Sequence, residues 1–137
     1  MGTWKSLRPP KKIYRLCALP VTLKGTKPTA VFFGAEKAEV KTWRAVYTAV
    51  LRRCAAGSDK LAALMELRNK ISGRRRVILS DKPDGMDTPI EIAEGLYAEV
   101  YFDTDWLLRI LTREILDAVH YDYSGISVAV RNERKKI

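Results

Sequence analysis

The chain is poor in the residues from which most enzymes and metal sites are built. Among its 137 residues there is one histidine, His120, and there are two cysteines, Cys17 and Cys54. A single histidine excludes any site that needs two imidazole ligands and argues against a histidine-based proton relay. The two cysteines are far apart in sequence, so neither a dithiol redox motif nor a zinc ribbon can be drawn. Cys54 falls on the apolar face of an expected helix, where a buried free thiol is the simpler reading. A glycine-rich phosphate loop, a nucleophile elbow and a His/Cys ligand set are all missing. No cofactor and no metal site is therefore expected. No apolar run approaches the ~20 residues of a membrane span, so no membrane partner is expected either. The N-terminus has no apolar segment of the secretory kind. With unpaired cysteines and no export signal, the reducing cytoplasm is the expected compartment. The first six residues match the loose Met-Gly-x-x-x-Ser pattern for N-myristoylation, with the bulky Trp4 inside it, and leave lipidation of Gly2 open.

What the chain does have is a full complement of core residues and an excess of base. With 47% hydrophobic and 30% charged residues it can fill a core, and its length suits one domain. The net charge is +9, which points toward an anionic partner. Its distribution is more informative. Residues 1–15 carry +5 with no acid, and residues 131–137 carry +3. Residues 16–82 hold 14 basic and 5 acidic side chains, whereas residues 83–130 hold 2 basic and 10 acidic. The body is close to neutral but divided, and the surplus lies in the tails. The expected organisation is a basic arm at 1–12, one folded domain at 13–130 and a basic tail at 131–137.

Pro9-Pro10 favours an extended arm. Residues 13–23 read as a strand interrupted by Pro20. Residues 29–33 and 38–40, with Gly34 between them, read as a hairpin. Trp43, Val46, Tyr47, Val50, Leu51 and Cys54 then recur at helical spacing on one face. A second helix follows, with Leu61, Leu64, Met65, Arg68 and Ile71 along one side, before Arg74-Arg75-Arg76 enters a strand at 77–79. Ile90 and Ile92 mark the next strand. Leu96, Ala98, Val100 and Phe102 form the inner face of another, and Tyr97, Glu99 and Tyr101 its outer face. The helix after Asp103 buries Leu107, Leu108, Leu111, Ile115, Ala118 and Val119. Trp106 and Ile110, one turn apart, fall outside that arc as a second apolar patch. Ile126, Val128 and Val130 make a last alternating strand. Strands and helices mix without regular βαβ repetition, which predicts an α+β fold: a mostly antiparallel sheet with about three helices packed on it.

Two kinds of surface are expected to bind. Lys5, Arg8, Lys11, Lys12, Arg15, Arg131, Arg134, Lys135 and Lys136 on the arms, with Arg74 and Arg76 on the body and Arg52 and Arg53 as additions, form a candidate nucleic-acid set. Tyr97, Glu99, Tyr101, Trp106 and Ile110 form a candidate surface for a protein partner or a second copy of the chain. The leading expectation is a small non-catalytic accessory domain that binds nucleic acid. Protein interaction is the alternative. A Mg²⁺-dependent nuclease is a second alternative, drawing on Glu39 and Lys41, Asp84, or Glu91, Glu99 and Asp103. The Pro-Asp and Glu-x-Lys matches stand in the reverse of the order typical of PD-(D/E)xK nucleases, and solvated strand faces explain the same acids. Gly95-Leu96-Tyr97 lacks the partner half of a GIY-YIG motif.

The strands leading into Glu39-Val40-Lys41-Thr42-Trp43-Arg44-Ala45-Val46, followed by Gly95-Leu96-Tyr97-Ala98-Glu99-Val100-Tyr101-Phe102 entering an Ile/Leu-rich helix, resemble an uncharacterised prokaryotic domain. That domain occurs alone or attached to proteins of restriction systems and mobile elements. The resemblance covers about residues 30–120 and departs from the family pattern at Asp103-Thr104-Asp105. It implies a genome-defence or mobile-element context and carries over no catalytic residue.

Overall fold

A computed structural model describes residues 11–20, 22–68 and 77–132. The described chain is α+β, with seven strands in two antiparallel sheets and three helices. It resolves into two compact units. One comprises residues 1–46 and 123–137, the other residues 47–122, and the boundary falls inside the first helix.

The first unit is built on a four-stranded sheet. Its strands are β1 (Lys11–Arg15), β2 (Thr26–Phe33), β3 (Glu36–Glu39) and β7 (Ile126–Asn132), in the order β1-β7-β2-β3. The last strand of the chain is thus central, paired on both sides. β2 and β3 form the expected hairpin, and it starts three residues earlier, at Thr26. Gly34 sits in its turn at φ 64°, where a Cβ would be strained. β1 ends at Arg15, not at residue 23. Arg15 already pairs with Ser127, next to the start of β7, so the strand has no further partner. Residues Leu16–Ala18 turn as a 3-10 helix and bury Leu16. The inner face of this sheet is apolar: Val31 and Val128 are fully buried, with Val130, Ile126 and Pro28 buried beside them.

Helix α1 (Trp43–Ala55) buries the whole anticipated stripe, from Trp43 to Cys54. At its start the Trp43 indole N–H donates to the Thr26 carbonyl at 3.4 Å.

In the second unit, α2 (Ser58–Leu67) precedes a three-stranded sheet of β4 (Leu79–Ser80), β5 (Pro89–Ala93) and β6 (Leu96–Glu99), in the order β4-β6-β5. β5 and β6 are joined at Gly95, whose φ is 76°. The Arg68 guanidinium donates to the Gly95 carbonyl at 2.8 Å and to the Met65 carbonyl at 2.9 Å, tying the end of α2 to that turn. The third helix starts as α3 (Thr104–Arg109), capped by the Asp103 carboxylate, which accepts from the Trp106 N–H at 3.0 Å. It continues as a π-helix over Ile110–Leu116. The Thr112 hydroxyl donates back to the Leu108 carbonyl at 3.1 Å. The helix stops at His120, which takes a left-handed φ of 57°. The Lys60 ammonium donates to the carbonyls of Val119 and His120 at 3.0 and 3.1 Å. A cation is thereby placed where the helix dipole is negative. Among the described residues no helix is long and apolar enough to cross a membrane.

Candidate nucleic-acid interface

Strand register sorts the four-stranded sheet of the first unit into two faces, because directly paired residues share a face and neighbours along a strand alternate. The outer face carries three rows running across the strands. In the first, Lys11 is paired in backbone register with Arg131, and Arg131 with Lys27. The middle row is Ile13, Ala129, Ala30 and Glu39. The third is Arg15, Ser127, Phe32 and Lys37. A bulge between Pro28 and Ala30 absorbs the extra residue Thr29 and keeps β2 in phase with β7.

Arg15, Lys27, Lys37 and Arg131 are all exposed on this face, against one exposed acid, Glu39. Ile13 is 64% exposed, Phe32 is half-buried, and the small Ala30 and Ala129 are buried at the centre. Two cationic rows therefore flank an apolar one. Four residues along a strand separate the outer rows, about 13–14 Å.

Of the expected nucleic-acid set, the sheet brings Arg15 and Arg131 onto one face. Lys12 is exposed but pairs with Val130 and so belongs to the opposite face of β1. Arg52 and Arg53 are exposed on the part of α1 that belongs to the second unit, where the Arg52 guanidinium donates to the Glu91 carbonyl at 2.8 Å. Lys5, Arg8, Arg74, Arg76, Arg134, Lys135 and Lys136 lie outside the described residues. Lys27 and Lys37 lie outside the strands expected at 29–33 and 38–40, and the observed bounds of β2 and β3 bring them onto the sheet. Plain alternation through 26–33 sets Lys27 on the inner face with Val31, and the bulge at Thr29 is what moves it to the outer one.

The set expected to meet a protein partner changes more. Glu99 is not on an exposed face: it is fully buried. Its Oε1 accepts the Asp87 N–H at 2.6 Å, and its Oε2 accepts the N–H groups of Thr88 and Tyr101, both at 2.9 Å. The carboxylate thus fastens the end of the loop 81–88 to the end of β6, and both its oxygens are engaged there. Ile110 is also buried, at 2% exposure, whereas Trp106 is 44% exposed. The turn between them is α-helical, the Ile110 N–H still bonding to the Trp106 carbonyl, so the two stand one above the other and only Ile110 is covered. Tyr101 is 53% exposed and Tyr97 half-buried. The Arg109 guanidinium stands 5.7 Å over the Trp106 ring, a cation–π pair.

Near Glu99 in charge terms is Tyr47, fully buried, whose hydroxyl has no hydrogen-bond partner among the described residues. Burial first, and the negative charge of Glu99 second, push that hydroxyl well above the ordinary tyrosine range. Burial likewise pushes the Cys54 thiol up to about 11, against a smaller opposing pull from Lys60. Cys17 is exposed. Among the described residues no group of three or more His, Cys, Asp or Glu side chains could hold a metal ion. Compared with known proteins, the chain matches no family model, no curated protein and no solved structure.

Proposed function

We propose that the protein is a small non-catalytic module that binds nucleic acid, and that the outer face of the β1-β7-β2-β3 sheet is the binding surface. The observation that carries the reading is the first cationic row, where β7 and β2 set Arg131 opposite Lys27, both exposed. Arg15 and Lys37 add to the same face, and both basic tails continue from strands of this sheet. Binding of this kind is driven by counterion release, so affinity falls steeply with salt and tolerates sequence change. Fluorescence anisotropy with a labelled oligonucleotide tests it. Binding is expected at about 50 mM salt, with a log–log salt slope that falls by about 0.7–0.9 for each of Lys27→Ala and Arg131→Ala. No binding at low salt, or binding unchanged in both variants, overturns the reading.

A second reading is favoured by one observation. Tyr101 and Trp106 are large hydrophobic side chains left exposed in an acidic stretch. This suits a protein partner or a second copy of the chain. Trp106→Ala should then lower the mass seen by light scattering or release a copurifying protein. A genome-defence or mobile-element setting rests on the sequence resemblance and is tested by the identity of neighbouring genes.

A further inference from the structure

The outer sheet face has a feature that charge alone does not explain: the exposed Ile13 and the half-buried Phe32 lie within its cationic frame. We infer that this face takes a single-stranded polynucleotide, with bases laid against Ile13 and Phe32 and phosphates reaching Arg131 and Lys27 on one side and Arg15 and Lys37 on the other. The inference rests on the nucleic-acid reading above and narrows it.

Two arguments separate single strand from duplex. The first is size. Four paired strands span three spacings of ~4.8 Å between backbones, about 14 Å before side chains are added. A duplex major groove is about 12 Å wide and admits a helix or a two-stranded ribbon. A duplex could therefore touch this face with its phosphates alone and would set its anionic backbone against Ile13. The second is chemistry. In a single strand each base offers an apolar π-face, and proteins that bind such strands pair a cationic track with side chains on which bases stack. The register supplies that pairing here: Ile13 stands between the two cationic rows, and Phe32 lies in the second of them, between Ser127 and Lys37. Ala30 and Ala129 keep the centre low, so a flat base can approach the sheet. Glu39 closes the β3 end of the middle row and repels a phosphate there, which steers phosphates to the flanking rows.

The test uses the full chain and three labelled probes of equal length at one salt concentration: single-stranded DNA, single-stranded RNA and duplex DNA. The single strands should bind about 10-fold tighter than the duplex, and the comparison of DNA with RNA identifies the natural class. Phe32→Ala should weaken single-strand binding about 5-fold or more, with Phe32→Tyr restoring it, because stacking rather than charge is at stake. Ile13→Ala, at a position too exposed to endanger folding, should weaken single-strand binding and leave duplex binding unchanged. Equal binding of single strand and duplex, with both apolar variants silent, overturns this inference while leaving the nucleic-acid reading intact. No binding of any probe overturns both.

Discussion

Replacing Glu99 with glutamine should destabilise the protein although the two side chains have nearly the same shape. The carboxylate is fully buried and accepts three backbone N–H groups, one on Oε1 and two on Oε2. A glutamine amide has one acceptor oxygen. Placed at the Oε2 position, it keeps the Thr88 and Tyr101 donors and sets its NH₂ against the Asp87 N–H, which makes the shortest of the three bonds at 2.6 Å. Losing a charge-assisted bond and leaving a donor facing a donor costs roughly 2–3 kcal/mol. Removing the charge offsets part of this, because a buried carboxylate is itself costly. The net expectation is a loss of about 2 kcal/mol for Glu99→Gln. Glu99→Ala strands all three donors and should lose about 3–4 kcal/mol. Asp87 and Tyr101 are exposed and can recover water, which keeps the figure below the sum of three full bonds. Urea denaturation measures both variants. Amide exchange at residues 87, 88 and 101 locates the effect, with protection falling by about 10- to 30-fold in the glutamine variant. A Glu99→Gln protein within about 0.5 kcal/mol of the parent, or unchanged exchange at those amides, would refute the clamp.

Tyr47→Phe should be neutral or stabilising by about 1 kcal/mol in the same urea assay, since it removes a buried hydroxyl that has no partner among the described residues. Cys54 should contribute an alkaline loss of stability. Its thiol ionises near the ordinary 9.0 when unfolded and only near about 11 when folded, so the contribution is whole below pH 9 and declines as pH rises toward about 11. Cys54→Ala should flatten the stability–pH curve in that window, and an unaltered curve would remove Cys54 as the cause. Gly95→Ala should cost about 1–2 kcal/mol, because an alanine at φ 76° is strained whatever space surrounds it; thermal melts would show it.

Much of the fold could be read from residue order. The stripe from Trp43 to Cys54 is buried as its helical spacing requires, and the alternation of Ile126, Val128 and Val130 does mark a strand with that face inward. Those patterns are local and set by one period. The misses arose where a distant segment intervened. Alternation put Glu99 outward, opposite Leu96, Ala98 and Val100, but it could not show that the loop before β5 brings two N–H donors onto that carboxylate. The four-residue step from Trp106 to Ile110 does keep the α period, but helical spacing cannot show which of two stacked side chains a neighbouring segment covers. The outer cationic face was only half legible. Arg15 and Arg131 could be named from their tails, yet their alignment with Lys27 follows from a central β7 pairing with both β1 and β2, a non-local arrangement that composition does not encode.

The proposed nucleic-acid surface is the outer face of the first unit's sheet. A ¹⁵N–¹H correlation spectrum recorded during titration with a single-stranded oligonucleotide at low salt tests it most directly. Amide shifts should gather in residues 12–15, 26–33, 36–39 and 126–132. Shifts confined to residues 47–122, or no shifts at saturating oligonucleotide, would contradict it.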